Sequence, residues 1–285
     1  MTKQLSPLRQ RMIDDMIIRN MAPSTQRVYA SAVANFSAFG GRSPDKLGLE
    51  DVRDCRLHLV SRLKPSSINP IMGALRFFYA TTLGLKHVAG QIPYARTADA
   101  LPAVLSREEV ERLLKSVANL KMRTAFITIY AAGLRVSELV ALTAGDIDSA
   151  RMVINIRQGK GGKDRTVMLS EQLLAILRDY WKRTRPAHWL FPGPDPLQPV
   201  TARTLQRACR EAAQAARLDK LVTVHTLRHS FAAHLLEQRV DIRLIQGLLG
   251  HRNINSTTRY TRVAVETIRR IQSPLEHLNI ETPPA

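Results

Sequence analysis

Cysteine is nearly absent from this 285-residue chain: Cys55 and Cys209 are the only two, and neither sits in a CxxC or Cys/His ligand spacing. That excludes a structural zinc site and reads as a reduced, cytoplasmic protein. Long apolar runs are lacking as well. No stretch reaches the roughly 18 apolar residues a membrane helix needs, so no membrane partner is expected. The opening segment MTKQLSPLRQRMIDDMIIRN has no apolar block of the signal-peptide kind. Acidic residues are outnumbered, 24 Asp and Glu against 42 Lys and Arg, which leaves a formal net charge of +18. The basic residues run along the whole chain rather than forming a tail. A folded surface with that field attracts a polyanion, and nucleic acid suits it better than an acidic membrane. Hydrophobic residues make up 45% of the chain, enough for a real core and too many for wholesale disorder.

Apolar periodicity predicts a mainly α chain with a small β-hairpin, in two domains with a linker between them. Residues 1–84 read as a small helical domain of about four helices. Pro23-Ser24-Thr25 opens one in which Tyr29, Val33 and Phe36 share a face. Ile68, Met72, Leu75 and Tyr79 do the same in another. Residues 85–105 read as a linker, because Gly90, Pro93 and Pro102 interrupt any regular pattern. Residues 106–285 form a longer, mixed domain. Ser106 followed by Glu108 and Glu109 caps a helix. Thr124 to Ala132 is a buried helix that Gly133 breaks. Met152–Ile156 and Thr166–Leu169 alternate as strands about the glycine-rich turn Gly159 to Asp164. Further helices are expected at about 171–184, 202–217, 226–238, 241–249, 256–262 and 264–278.

A set of polar residues in the second half carries chemistry: Arg135 in AAGLRVSEL, Lys160 in GKGGKDR, His225 and Arg228 in HTLRHSFAAHLL, His251 in LLGH, and Tyr260 in TTRYT. Phosphodiester exchange needs an activated nucleophile, cations on the phosphoryl oxygens, and a proton for the leaving oxygen. Arginine's planar fork suits the phosphate, and two from different helices can grip both non-bridging oxygens. Lysine on a hairpin can reach a leaving oxygen, with Lys163 as the rival to Lys160. Tyrosine, with a reference pKa near 10, needs cationic surroundings to attack at neutral pH. Other readings of the same residues are weaker. His225 and His229 are spaced i, i+4, but Thr226 stands where a HExxH zinc helix has glutamate, so no metal is expected. GKGGK lacks the GKS or GKT of a nucleotide loop. Glu138, one turn after Arg135, reads as a structural partner of that arginine or of nearby backbone rather than a catalytic acid.

Together these segments resemble the tyrosine recombinases, the integrase and Xer-type site-specific DNA recombinases. AAGLRVSELVAL is similar to the family's first arginine box, GKGGKDRTV to its hairpin lysine, HTLRHSFAAHLL to its H-x-x-R box, and LLGHRNINSTTRYTRV to its closing histidine–tyrosine segment. Arg228 to His251 is 23 residues and His251 to Tyr260 is 9, as in the family pattern. The likeness is strong over about residues 100–275. It is weaker in the first half, where STQRVYASAVANF and SSINPIMGALRFFYATTLG resemble core-binding helices. The resemblance implies a helical SAM-like core-binding domain and a mixed α/β catalytic domain that close on duplex DNA. By resemblance, Tyr260 attacks the scissile phosphate to form a 3′-phosphotyrosyl link. Arg135 and Arg228 clamp the phosphate, Lys160 protonates the leaving 5′ hydroxyl, and His225 and His251 assist. The resemblance further implies no ATP, metal or other cofactor, and a homotetramer on two DNA sites that exchanges strands through a Holliday junction. The isolated chain is then a monomer; whether accessory proteins are further partners is left open by the sequence. Type IB topoisomerase-like relaxation and a non-catalytic DNA-binding regulator are the alternatives on the same fold.

Two further features are readable from pattern. On the expected helix 202–217, Arg203, Arg207, Arg210 and Arg217 fall in one sector, with Leu205, Ala208 and Ala212 opposite. This stripe reads as a DNA-contacting face, with an ordinary solvated face as the alternative. Ile268, Ile271, Leu275 and Leu278 give the segment Thr267 to Ile280 an apolar side that suits docking on a neighbouring subunit.

Overall fold

The structure is a computed structural model, and it describes residues 6–96, 102–157 and 164–250. The chain divides into two compact units, residues 1–99 and 100–285. It is mainly helical, with one small antiparallel sheet.

The first unit holds α1 (Pro7–Ile18), α2 (Pro23–Gly40), α3 (Leu49–Val60), α4 (Pro65–Phe77) and α5 (Lys86–Gln91). Proline opens α1, α2 and α4, where its missing N–H belongs to a donor that has no helical partner anyway. The faces predicted by periodicity in α2 and α4 meet in the middle: Val33 and Phe36, and Ile68, Met72 and Leu75, are buried together, and Met12 and Met16 of α1 join them. Tyr29 is half-buried at the edge of this cluster. A π-helical turn, Phe78–Thr82, extends α4 and buries Tyr79, whose hydroxyl donates to the Leu47 carbonyl at 2.6 Å.

The region expected to be a linker has structure of its own. It contains α5, and the chain after α5 is fastened back onto α4. Asn69 exchanges two hydrogen bonds with the Ala95 backbone at 2.7 and 2.9 Å, and the Arg76 guanidinium donates to Ile92 O at 2.6 Å.

The second unit opens at α6 (Arg107–Ser116), capped as the sequence predicts. The Ser106 N–H donates to the Glu109 carboxylate at 2.7 Å, and the Glu109 N–H donates to the Ser106 hydroxyl at 3.2 Å. α7 (Leu120–Ala132) is the buried helix, and α8 (Val136–Val140) follows Gly133 at once. β2 (Val153–Ile156) and β3 (Arg165–Met168) form the hairpin, pairing Ile154 with Val167. A further strand, β1 (Ile147–Asp148), pairs with β2 and makes the sheet three-stranded; two residues are too few to show an alternation in sequence.

α9 (Glu171–Thr184), α10 (Ala202–Ala215), α11 (Val224–Glu237) and α12 (Ile242–Leu249) complete the described part. One continuous core joins α6, α7, the sheet, α9, α10 and the start of α11 through residues such as Phe126, Ile129, Ile154, Leu177, Leu205 and Leu227. α10 ends two residues earlier than the pattern suggests: Ala216 caps it and Arg217 follows with φ +51°. Cys55 lies in the first core and Cys209 in the second, both buried and both free thiols.

Candidate active site

Two helices end on glycine beside the site. α7 stops at Gly133 (φ +63°) and α12 at Gly250 (φ +58°), the left-handed geometry that glycine adopts without strain. These are the glycines of AAGLR and LLGH. After Gly133, the chain buries Leu134 and places Arg135 at the N-cap of α8. Glu138, three residues on, closes the cap by accepting the Arg135 backbone N–H at 2.7 Å. The same carboxylate accepts the Arg135 guanidinium at 2.6 Å, so Glu138 holds this arginine at both ends.

Arg228 comes from the second turn of α11 and is only 4% exposed. Its two terminal nitrogens donate to Gly133 O and Leu249 O, each at 2.6 Å. Its Nη1 lies 3.6 Å from Glu138 Oε2. A third arginine, absent from the sequence-predicted set, completes the cluster. Arg165, the first residue of β3, closes its fork on Glu138, with Nη1 to Oε1 at 2.7 Å and Nη2 to Oε2 at 2.8 Å. Burial alone would raise the Glu138 carboxyl. Hydrogen bonds from Arg165 and from the Arg135 backbone, with the charge of Arg165, outweigh it and hold the pKa at about 2.

Three guanidiniums around one carboxylate leave an excess of positive charge in a largely buried cluster. Such a cluster suits an anion with several oxygens. His225 stands one turn before Arg228 on α11, at the exposed edge of the cluster. Partial burial, and then the charges of Arg228 and Arg135, push its pKa below the usual histidine value, so its neutral form prevails near pH 7.

The structure thus brings Arg135, His225 and Arg228 to one place. Lys160, His251, Tyr260 and the segment from Thr267 to Ile280 lie outside the described residues. Arg203, Arg207 and Arg210 are exposed on α10, over a buried face of Leu205, Cys209 and Ala212. Arg217 is exposed too, but past the helix end and off its stripe. In GKGGKDRTV the lysines carry the motif, and nothing in it singles out Arg165. Strand alternation carries the missing signal, since Arg165 shares the inward register of Val167.

Residues 103–267 match the model of the phage integrase family, and residues 8–87 match that of the phage integrase N-terminal SAM-like domain. The chain belongs to the phage integrase family. Within it, the chain is a tyrosine recombinase, a DNA breaking-and-rejoining enzyme of site-specific recombination. The integrase/recombinase-type protein y4qK of Sinorhizobium fredii is 46% identical over 277 residues, covering 96% of this chain and 90% of its own. Tyrosine recombinase XerD of Pseudomonas aeruginosa is 34% identical over 282 residues, covering 90% of this chain and 93% of its own. In fold, this recombinase is similar to a lambda integrase solved as a tetramer bound to a Holliday junction. That match has a TM-score of 0.74 at 17% identity, with coverage of 89% of this chain and 76% of that one.

Proposed function

We propose that this recombinase cuts one strand of duplex DNA at a time with Tyr260, and that Arg135 and Arg228 hold the scissile phosphate. The observation that carries this reading is the convergence of those two arginines, 93 residues apart in sequence, on the single carboxylate of Glu138. Elements remote in sequence are folded onto one another at a cationic cluster, with a neutral imidazole at its edge.

In this reading the Tyr260 hydroxyl oxygen attacks phosphorus and loses its proton. The bond to the 5′ oxygen breaks, and that oxygen takes a proton from Lys160. The product is a 3′-phosphotyrosyl ester and a free 5′ hydroxyl. His225 and His251 donate to the phosphoryl oxygens or carry the tyrosine proton. Attack by a 5′ hydroxyl from the partner duplex reverses the step, rejoining the strand and restoring tyrosine. The ester conserves the phosphodiester bond energy, so rejoining needs no nucleotide cofactor. We extend to this chain a homotetramer on two DNA sites, working in the cytoplasm on chromosomal or mobile-element DNA. Arg203, Arg207 and Arg210 of α10, with Arg217 beyond it, contact the DNA backbone and base edges.

Covalent trapping tests the reading. The protein and its Tyr260→Phe variant are incubated with nicked duplexes drawn from the DNA flanking the gene, then run on denaturing gels. An adduct formed by the natural chain and lost in the variant is the expected result. An adduct that persists in the variant removes Tyr260 from the role of nucleophile.

A further inference from the structure

Arg165 has no part in the chemistry proposed above, yet it touches two supports of the site. Its fork is closed on the Glu138 carboxylate, and its Nε donates to Leu248 O at 3.0 Å. Its stem lies close over Gly250, where an added Cβ would come within 3.1 Å of Arg165 Cδ. The other two arginines bind the same turn. Arg228 donates to Leu249 O at 2.6 Å and Arg135 to Gly250 O at 2.9 Å. Three consecutive carbonyls at the end of α12 are therefore taken by three arginines, one each, and all three arginines surround Glu138.

Within that arrangement Arg165 differs from its neighbours. Both its terminal nitrogens meet carboxylate oxygens, so a protein counter-charge answers its own charge. Arg135 reaches Glu138 through one terminal nitrogen and gives the other to a carbonyl. The guanidinium contacts given above for Arg228 at 2.6 Å go to carbonyls, with the carboxylate farther off at 3.6 Å. For Arg135, a neutral carbonyl on one nitrogen leaves more of the guanidinium's charge for a bound anion than a second carboxylate oxygen would.

We infer that Arg165 is a positioning residue. It fixes the Glu138 carboxylate so that Arg135 and Arg228 keep their orientation toward the phosphate. It also fixes the end of α12, from which the chain runs on to His251 and Tyr260. Because Arg165 opens β3, it ties the hairpin to the clamp as well. Without it, Glu138 draws harder on Arg135 and Arg228 and turns them from the phosphate. This inference rests on the phosphate-clamp reading.

The test compares Arg165→Ala and Arg165→Lys with the natural chain on a nicked duplex, measuring DNA affinity and single-turnover adduct formation separately. Arginine side-chain nitrogen resonances of Arg135 and Arg228 are recorded in the same proteins without DNA. Expected are affinity within about threefold of the natural chain and adduct formation slowed about tenfold to a hundredfold. The Arg135 and Arg228 signals shift, and added guanidinium ion restores part of the Arg165→Ala rate. Lysine, a point charge without a fork, does not substitute, so Arg165→Lys stays slow; should Arg165→Ala not fold, Arg165→Lys carries the test. Natural-chain rates in Arg165→Lys overturn the inference, as does a fall in affinity that matches the fall in rate, which makes Arg165 a phosphate ligand. A natural chain that forms no adduct refutes the clamp reading instead, and the Arg135 and Arg228 signals still decide the inference: unmoved, they overturn it.

Discussion

Arg228 donates to the Gly133 carbonyl at 2.6 Å, joining the second turn of α11 to the left-handed end of α7. The glycine does more than end a helix, because its backbone is a partner of the clamp. Its α-carbon also faces the Phe231 ring, which an added Cβ would overlap. Gly133→Ala therefore combines a strained positive φ with overpacking, a loss of about 2–4 kcal/mol. Urea denaturation is expected to show a lower midpoint, with slower adduct formation because Arg228 moves with the carbonyl. An unchanged midpoint would mean that Phe231 and the turn yield freely.

Glu138 makes stability depend on acid. Its folded-state pKa, held at about 2 against an ordinary 4.5, is depressed. The stabilisation is therefore fully present above about 4.5 and is lost as pH falls toward 2. The difference corresponds to about 3 kcal/mol. Glu138→Gln removes the charge and leaves three neighbouring guanidiniums uncompensated, so the variant is less stable at pH 7 by about 3 kcal/mol or more. Between pH 5 and 3 the natural chain loses stability and the variant loses much less. Denaturation curves at pH 7, 5 and 3 check this. Parallel pH dependence in the two proteins would contradict the assignment.

The entry into the second unit hangs on one hydroxyl. Ser230 is fully buried in α11, accepts the Leu105 N–H at 2.9 Å, and donates to Thr226 O at 2.9 Å. Ser230→Ala strands the buried Leu105 donor, at a cost of about 1–3 kcal/mol. Hydrogen exchange at the Leu105 amide should accelerate in the variant. Equal protection in both proteins would mean that the donor finds another acceptor.

Much of this was legible in sequence because its causes are local. The cap at Ser106, the proline start at Pro23, the apolar faces of α2 and α4 and the glycine break at Gly133 each follow from residues within a turn or two. Arg135, His225 and Arg228 stood out because each lies in a short, dense motif. What escaped depends on distant partners. Arg165 acquires its role from Glu138, 27 positions earlier, and from Leu248, 83 positions later. Nothing within its own strand announces either contact except an inward register unusual for arginine. β1 and α5 were missed for a different reason, since elements of two and six residues are too short for periodicity to declare.

The α10 stripe offers a test that needs no chemistry. Arg203, Arg207 and Arg210 are exposed on a helix whose opposite face is buried, and among the described residues only Arg207 forms an ion pair, with Glu211 at 3.7 Å. If these side chains neutralise phosphates, binding releases counterions and the affinity falls steeply with salt. Each lost phosphate contact lowers the slope of log affinity against log salt by about 0.9. Arg207→Ala with Arg210→Ala should weaken binding and flatten that slope by up to about 2. Both side chains are exposed, so the melting temperature should stay where it is. Mobility shifts at several salt concentrations give the slope directly. Affinity equal to that of the natural chain at every salt concentration makes the stripe a solvated face and moves the DNA contact elsewhere on this basic surface.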